Sequence, residues 1–326
     1  MMKVIRVENP GPDYRLVLAE GVKPEPAAGE VLIKVAAAGL NRADLLQARG
    51  LYPPPPGASE TLGMEVSGTV SQTGRGVHGL EQDQPVCALL AGGGYADYAL
   101  APAECVLPVP HGVDLVAAAA LPEVHFTVWT NLMDSARLKA GESVLIHGGS
   151  SGIGTAAIQL CAARGHKVFT TVGNKAKIDA CQKLGAQCAI NYREDDFVAV
   201  TRHATNDRGV DVILDMVGGD YIERNFNAAA KLGRIVNIAF QQGIKVEVNF
   251  APLMLKRLSF MATTLRGRTN AEKGAIRDAL AREVWPLIAA GKIKPVIDRT
   301  FPLAEAQAAH ARMAGSEHIG KILLTT

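Results

Sequence analysis

A glycine-rich run in the middle of the chain has residue types and spacing that could bind a phosphate group. An apolar run at residues 144–146 leads into His147 and Gly148, and helical sequence follows. We predict a strand, a tight turn and a helix start, whose free backbone N–H groups bind pyrophosphate without a charged side chain. Gly152 would let the backbone approach the phosphates, and Gly154 would let helix and strand pack closely. The predicted phosphate-binding residues are Gly149, Ser151, Gly152, Ile153 and Gly154.

The sequence after the next strand indicates which dinucleotide would be bound. Enzymes that use NAD place Asp or Glu there, about 20 residues beyond the glycines, to accept hydrogen bonds from the ribose hydroxyls. Residues 171–177 contain no carboxylate but include Lys175 and Lys177. These lysines could simply be a solvated first helical turn. Cations oppose the helix dipole at that position, however, so a nearby anion explains them better. We therefore expect NADPH.

The sequence around this loop predicts a doubly wound dinucleotide-binding domain over residues 123–264. Near-continuous apolar strands alternate with helices there, which is typical of a parallel sheet covered on both faces. We predict strands at 143–147, 167–172, 189–192, 210–217 and 234–240, with helices at 152–164 and 175–183. The glycine spacing alone is weak evidence, and this strand–helix context strengthens it.

The two ends of the chain differ from this central part. Residues 1–122 are short apolar runs separated by Gly and Pro, which predicts a mostly antiparallel, loop-rich domain with an extended loop at 53–57. Residues 265–326 follow a completed parallel sheet, so we expect them to return to the first domain. A long helix is predicted at 271–290. The fold class is thus α/β.

Bulk properties exclude several classes of protein. Of the 326 residues 48% are hydrophobic, and no apolar run is long enough to span a membrane. The first residues lack the pattern of a signal peptide. A net charge of +2 without a basic run argues against a nucleic-acid partner. Five isolated cysteines indicate free thiols. We expect a cytoplasmic protein.

Several segments in order resemble the medium-chain dehydrogenase/reductase family over essentially the whole chain. Short-chain dehydrogenases also carry a similar glycine turn, but their Tyr-x-x-x-Lys pair is missing because Asp196 and Asn225 stand where Lys is needed. Within the medium-chain family, the chain most resembles the quinone oxidoreductases, especially in residues 41–57. The segments that carry the resemblance are 39–44, 63–68, 92–98, 121–122, the phosphate loop and 318–322.

The resemblance implies a GroES-like, mostly β catalytic domain beside a Rossmann domain, and chemistry without zinc. Zinc-containing relatives hold the catalytic metal with Cys where this chain has Asn41 and with His where it has Met64. An amide and a thioether do not replace these ligands on Zn²⁺. Hydride transfer without a Lewis acid needs an acceptor that is already electrophilic, such as a quinone or an activated carbonyl compound.

Asn41 and Tyr52 are the candidate catalytic residues, and each has a structural alternative. Asn41 could bind the nicotinamide ribose or the acceptor oxygen, or it could only cap the helix that follows. Tyr52 could donate its O–H to a developing quinol oxygen, or it could be an aromatic packing residue. Quinone reduction could also proceed without an enzymic acid, because the product phenolate can take a proton from water.

The resemblance assigns further residues to the cofactor. Thr127 would contact the nicotinamide phosphate or ribose, and Tyr192 would lie at the adenine end. Asn174 and Lys177 would bind the 2′-phosphate. The backbone at Phe240 would lie beside the carboxamide, and Lys321 would line the cofactor site.

The leading hypothesis is an NADPH:quinone reductase without a metal. An enone or enoyl-thioester reductase of the same family is the alternative enzyme, and a crystallin-like or RNA-binding protein that only binds NADPH is the alternative of another class. The resemblance also implies a homodimer through an edge strand at 258–264.

Overall fold

The computed structural model describes residues 1–326, which divide into two compact units. Unit 1 contains Met1–Phe126 and Arg266–Thr326, and unit 2 contains Thr127–Leu265. The C-terminal segment is thus in the same unit as the N-terminal segment. No helix combines the length and the apolar character needed to cross a membrane.

Unit 1 is built around a seven-stranded sheet in which most neighbours are antiparallel. The strands are β1 (Met2–Glu8), β2 (Arg15–Gly21), β3 (Glu30–Gly39), β4 (Glu65–Thr73), β5 (Pro85–Leu89), β6 (Tyr98–Pro102), β7 (Val106–Pro108), β14 (Ile297–Pro302) and β15 (Lys321–Thr325). Their order in the sheet is β14-β15-β3-β4-β5-β7, with β6 paired to β3, and β1 and β2 form a separate hairpin. Its helices are α1 (Arg42–Ala48), α8 (Asn270–Glu283), α9 (Trp285–Ala289) and α10 (Ala306–Ala314), and α2 (Pro122–Val128) crosses into unit 2.

The core of unit 1 is formed by alternate residues of the central strands. Val31, Ile33 and Val35 of β3 are buried, as is Val66 of β4. The carboxyl end of β3 leads directly into α1, so the residues at this junction are held by the sheet on one side and by the helix on the other.

Unit 2 contains a parallel six-stranded sheet, whose strands are β8 (Ser143–His147), β9 (Lys167–Val172), β10 (Cys188–Asn191), β11 (Val210–Asp215), β12 (Ala229–Asn237) and β13 (Ser259–Ala262). Their order in the sheet is β10-β9-β8-β11-β12-β13. Numbered from the first strand of the unit, this order is 3-2-1-4-5-6, the arrangement of doubly wound dinucleotide-binding folds. Its helices are α3 (Gly152–Ala163), α4 (Lys175–Lys183), α5 (Phe197–Ala204), α6 (Tyr221–Ala228) and α7 (Ala251–Leu255), and the segment Trp129–Ser135 forms a π-helix.

Local sequence patterns predict several elements of unit 2 correctly. The predicted bounds of β8, β9 and α4 are confirmed. Gly165 ends α3 with a φ of 81°, the left-handed conformation that glycine adopts without strain. The predicted doubly wound fold is confirmed by the strand order.

The two units meet in the chain after Phe126 and after Leu265. The start of α2 is bound within unit 1, because the Glu123 backbone N–H donates to the Glu65 side chain at 2.9 Å. Two of the predicted elements differ from the structure. The predicted strand 234–240 ends at Asn237. The Ile238 N–H still donates to the Asp215 carbonyl at 2.8 Å, and the chain then forms a turn in which the Gly243 N–H donates to the Phe240 carbonyl at 3.1 Å.

The long helix predicted at 271–290 is two helices. α8 ends at Glu283, and α9 starts at Trp285 with Pro286 in its first turn. Proline has no N–H and fits the first turn of a helix but not its interior. The chain therefore restarts a helix at this point instead of continuing one.

Candidate functional site

The predicted phosphate-binding residues form the junction between β8 and α3. Gly148 has a φ of 69°, and the Ser151 N–H donates to its carbonyl at 2.9 Å to close the turn. Ser151 is the N-cap of α3, and its Oγ accepts from the Gly154 N–H at 3.0 Å. The N–H groups of Gly152 and Ile153 open the helix and have no intrahelical acceptor. The junction thus presents backbone donors at a positive helix end, the arrangement that binds phosphate.

Two glycines in this loop occupy places where a side chain would collide with its surroundings. A Cβ on Gly149 would lie 2.0 Å from Thr170 Oγ1, and one on Gly154 would lie 2.3 Å from the Gly148 carbonyl oxygen. The close packing predicted for Gly154 is therefore present. Thr170 Oγ1 is itself fixed, since it donates to the Ile146 carbonyl at 2.6 Å. Because Gly149 and Gly154 have no side chains, the loop packs directly against Thr170 of β9 and against its own turn, as the close strand–helix packing of a dinucleotide-binding loop requires.

Asn174 and Lys177 lie in the first turn of α4, directly after β9. Asn174 is the N-cap, and its Oδ1 accepts from the Lys177 backbone N–H at 3.0 Å. Its neighbour Lys175 forms an exposed ion pair with Asp179. The cap occupies the Asn174 carbonyl oxygen, so its amide nitrogen is the group left for a ligand.

Tyr192 and Arg193 join this group from the end of β10. The Tyr192 hydroxyl lies 2.9 Å from the position that a Gly173 Cβ would take, and Arg193 Nε lies 3.5 Å from it. Tyr192 is 42% exposed, so its ring offers a surface for stacking. Arg193 was not predicted, because the residues expected to distinguish NADPH from NAD lie at the end of β9. Its signal was its place beside Tyr192, immediately after the neighbouring strand.

Asn41, Glu65 and Lys321 form a buried network in unit 1. Lys321 Nζ lies 2.6 Å from Glu65 Oε1, and it donates to Asn41 Oδ1 at 2.8 Å and to the Leu40 carbonyl at 2.6 Å. Asn41 Nδ2 donates to Glu65 Oε1 at 2.9 Å. The ammonium of Lys321 has three donors, and all three are used. A direct contact of Lys321 with a cofactor would therefore cost it one of these bonds. No local pattern predicts this network, because its members are far apart in the chain.

Asp44 fixes the loop that carries Asn41. Its carboxylate accepts from the Asn41 N–H at 2.7 Å and from the Gly63 N–H at 3.0 Å, and the Tyr95 hydroxyl donates to it at 3.3 Å. Burial raises the pKa of the Asp44 carboxyl to about 6, although the two backbone donors act in the opposite direction. Asn41 thus has the predicted helix-capping position, and its side chain is also held by Lys321 and Glu65.

Tyr52 lies in an irregular loop and is half-buried. The guanidinium of Arg266 lies against its ring, with Cζ 5.2 Å from the ring centroid. Arg266 Nη2 also donates to Gln47 Oε1 at 2.7 Å, which connects the Tyr52 loop to α1. Burial raises the pKa of the Tyr52 phenol, and the nearby Arg266 charge lowers it. No local pattern marked Arg266, because only the fold brings residue 266 to this loop.

Thr127 and Phe240 are the remaining predicted cofactor residues, and both lie in unit 2. Thr127 is a buried residue of α2 whose carbonyl accepts from Asn131 Nδ2 at 2.7 Å. Phe240 lies in the turn after β12, and a Cβ on Gly218 would lie 2.8 Å from its ring. Within the chain, no three His, Cys, Asp or Glu side chains are grouped as metal ligands.

Comparison with known proteins places this geometry in a family. Residues 27–111 match the alcohol dehydrogenase GroES-like domain, and residues 184–324 match a domain described as zinc-binding dehydrogenase. Quinone oxidoreductase of Rattus norvegicus is 32% identical over 327 residues, which cover 99% of this chain and 98% of that protein.

Solved structures agree along the whole chain. Escherichia coli quinone oxidoreductase complexed with NADPH has a TM-score of 0.87 and 30% identity, covering 100% of both chains. The CurK enoyl reductase has a TM-score of 0.87 and 28% identity, covering 99% of both. The predicted GroES-like and Rossmann domains are confirmed. The chain is an oxidoreductase of the medium-chain dehydrogenase/reductase superfamily, related over its full length to the quinone oxidoreductases.

Proposed function

We propose that the chain is an NADPH-dependent reductase that transfers hydride to a quinone without zinc. The reduced dinucleotide would supply the hydride, and the protein would supply binding, orientation and exclusion of water. The E. coli relative that binds NADPH and the shared fold support this cofactor.

The phosphate loop and the end of β9 are the residues that would hold NADPH. The N–H groups of Gly152 and Ile153 would bind the pyrophosphate. Lys177, Arg193 and the Asn174 amide would bind the 2′-phosphate, beside the Tyr192 ring. Two cations and no carboxylate at this position favour a phosphate over a free ribose hydroxyl.

The single observation that carries the metal-free part of the proposal is the position of Lys321. Its ammonium lies 2.8 Å from Asn41 Oδ1, and Asn41 stands where zinc-containing relatives are expected to have a cysteine ligand. A fixed cation at that distance would repel Zn²⁺, and neither Asn41 nor Met64 supplies a thiolate or an imidazole. A reductase without a Lewis acid needs an acceptor that is electrophilic by itself, and a quinone meets this requirement.

An enone or enoyl-thioester reductase is the second candidate, and the likeness to the CurK enoyl reductase favours it. Steady-state loss of NADPH and of NADH with 1,4-benzoquinone, 9,10-phenanthrenequinone and a 2-alkenal separates the possibilities. We expect turnover with the quinones, NADPH preferred over NADH, and no stoichiometric zinc by elemental analysis. Turnover with the alkenal alone would favour the second candidate. NADPH binding without turnover of any acceptor would favour a protein that only binds the cofactor.

We further propose that the protein is a homodimer joined through β13 and acts in the reducing environment of the cytoplasm. β13 is the outermost strand of its sheet, and Phe260 on it is 38% exposed. Met254 of the adjacent α7 is 69% exposed. An unpaired edge beside apolar side chains is suited to pairing with a second copy. All five cysteines are free, as expected in a reducing compartment.

Sedimentation of the Phe260→Lys variant tests the interface. We expect it to shift the protein toward monomer, because a lysine in an apolar contact loses hydration. Leu18→Lys, at a side chain of unit 1 that is 43% exposed, is the matched control and should leave the assembly unchanged. A wild-type protein that sediments as a monomer would contradict the proposed dimer.

A further inference from the structure

Arg266 is a buried cation whose guanidinium donates hydrogen bonds only to neutral acceptors. Its side chain donates from Nε and Nη2 to the Ala91 carbonyl at 2.8 Å and 2.6 Å, and from Nη2 to Gln47 Oε1 at 2.7 Å. The residue is 7% exposed, and burial lowers the pKa of its guanidinium. A buried charge without a hydrogen-bonded counter-ion is unfavourable. Negative charge on Asp44 or on the Tyr52 phenolate would favour the Arg266 guanidinium, although neither group is hydrogen-bonded to it.

The group nearest to this charge is the ring of Tyr52. Arg266 Cζ lies 5.2 Å from the ring centroid, and Nη1 approaches the Tyr52 carbonyl oxygen at 3.4 Å. The Tyr52 hydroxyl has no hydrogen-bond partner in the chain, so it can donate to a ligand. A cation near a phenol ring stabilises the phenolate more than the phenol, and so makes the O–H a stronger acid.

Arg266 opposes the other influences on Tyr52. Burial and the Glu123 carboxylate both disfavour the phenolate, whereas Arg266 favours it. Two unit charges about 6 Å apart at an effective dielectric constant of about 20 interact strongly enough to change an equilibrium roughly 100-fold, and solvent screening reduces this toward 10-fold. The effect is large enough to measure.

We propose that Arg266 is a specificity-determining residue that acts through Tyr52, by making this phenol a better proton donor to the acceptor oxygen. The inference rests on the proposed function for the hydride donor. As hydride adds to the acceptor, the Tyr52 O–H bond breaks and its proton goes to the acceptor oxygen. Water then returns a proton to the Tyr52 phenolate, which Arg266 stabilises in the meantime.

This role has a consequence for the class of acceptor. A quinone is reduced to a stable phenolate that can take its proton from water. An α,β-unsaturated aldehyde is reduced to an enolate, a far stronger base that gains more from an enzymic acid. Arg266 therefore extends the range of the site from quinones to enones and enals.

Titration of Tyr52 tests the proposal without any activity measurement. NMR of protein labelled at the tyrosine ring carbon, with the Tyr52 signal assigned by its loss in Tyr52→Phe, gives the pKa directly. We expect Arg266→Gln to raise the Tyr52 pKa by about one unit. Arg266→Lys keeps the charge but moves it, so a smaller rise is expected, and this variant serves if the Gln variant fails to fold. An unchanged Tyr52 pKa in a folded variant would overturn the proposal.

Kinetics then test the specificity. We expect Arg266→Gln to lower kcat/KM for a 2-alkenal about 10-fold or more while that for 1,4-benzoquinone changes little, and to have no further effect in a Tyr52→Phe background. Equal losses with both acceptors, or additive losses in the double variant, would assign Arg266 a purely structural role. If the wild-type protein reduces neither acceptor, the proposed function is wrong, whereas the titration still decides whether Arg266 tunes Tyr52.

Discussion

Lys321 and Glu65 form a buried ion pair at 2.6 Å that holds Asn41 between them. The pair joins β15 to the start of β4, at strands that lie on either side of β3 in the sheet. The chain thus uses a charged side chain from near its C-terminus to fix the residue that follows β3. The position of Asn41 is a property of the whole of unit 1 rather than of its own loop.

Removing one partner of this pair should destabilise the protein strongly. Lys321→Met leaves the Glu65 carboxylate buried without its cation, which we expect to cost about 3–5 kcal/mol. Glu65→Gln in the same chain should recover part of the loss. Urea unfolding measures both, with Lys175→Met at the exposed pair with Asp179 as the control, where the change should stay below about 1 kcal/mol. Strictly additive effects of Lys321→Met and Glu65→Gln would argue against coupling.

Gly149→Ala should impair dinucleotide binding. The new Cβ would lie 2.0 Å from Thr170 Oγ1, so the loop must move away from β9. We expect the Kd for NADPH, measured by calorimetry, to rise at least about 10-fold. Gly267→Ala is the matched control, because nothing lies within 4 Å of its added Cβ. Wild-type affinity in Gly149→Ala would mean that the loop tolerates displacement and does not position the cofactor.

Reversing the charge at Lys177 should change the choice of cofactor. Lys177→Glu would repel a 2′-phosphate while leaving the Asn174 cap, which uses the backbone N–H, in place. We expect the ratio of kcat/KM for NADPH to that for NADH to fall about 10-fold or more, which corresponds to one lost charged contact. Lys183→Glu, at the other end of α4, controls for net charge. An unchanged ratio would contradict the assignment of Lys177 to the 2′-phosphate and would leave Arg193 as the cation that binds it.

His310 should make the protein less stable in mild acid. Burial lowers the pKa of His310 to about 3, below its ordinary value of 6.5, so the unfolded chain takes up a proton that the folded chain does not. His310 therefore makes its full contribution to the free energy of unfolding above about pH 6.5. This contribution falls as the pH drops toward 3, by about 1.4 kcal/mol per pH unit for one proton. His125, whose pKa burial lowers to about 4, acts in the same direction.

His310→Gln should abolish the proton uptake of residue 310 on unfolding, and with it part of the pH dependence of the free energy of unfolding. Glutamine offers both a donor and an acceptor to Tyr14 and Tyr95, which contact the imidazole at 2.8 Å and 3.2 Å. We expect the pH dependence of the urea midpoint between pH 7 and 5 to weaken, while His111→Gln at an exposed site keeps it. A variant with the slope of the wild type would show that the buried imidazole is already protonated in the folded chain.

Short-range chemistry in the sequence was sufficient to locate the dinucleotide-binding unit. An apolar strand, glycines that permit a tight turn, and an N-capping serine act within about ten residues of each other, so the β8–α3 junction follows from local sequence alone. β9 and α4 follow in the same way, because Gly165, Asn174 and Gly185 mark their ends. Six short segments in order, among them residues 39–44 and the phosphate loop, also pointed correctly to the family.

What only the tertiary structure decided is which polar side chains are buried together. Lys321 is predicted to line the cofactor site, and only the fold shows that its ammonium is bonded to Leu40, Asn41 and Glu65. Arg266 had no local signal because its neighbours are distant in sequence, whereas Arg193 was missed because its partner Gly173 lies after another strand. Burial and charge pairing depend on long-range packing, which no local pattern encodes, whereas turns and helix starts depend on the backbone conformation of a few consecutive residues.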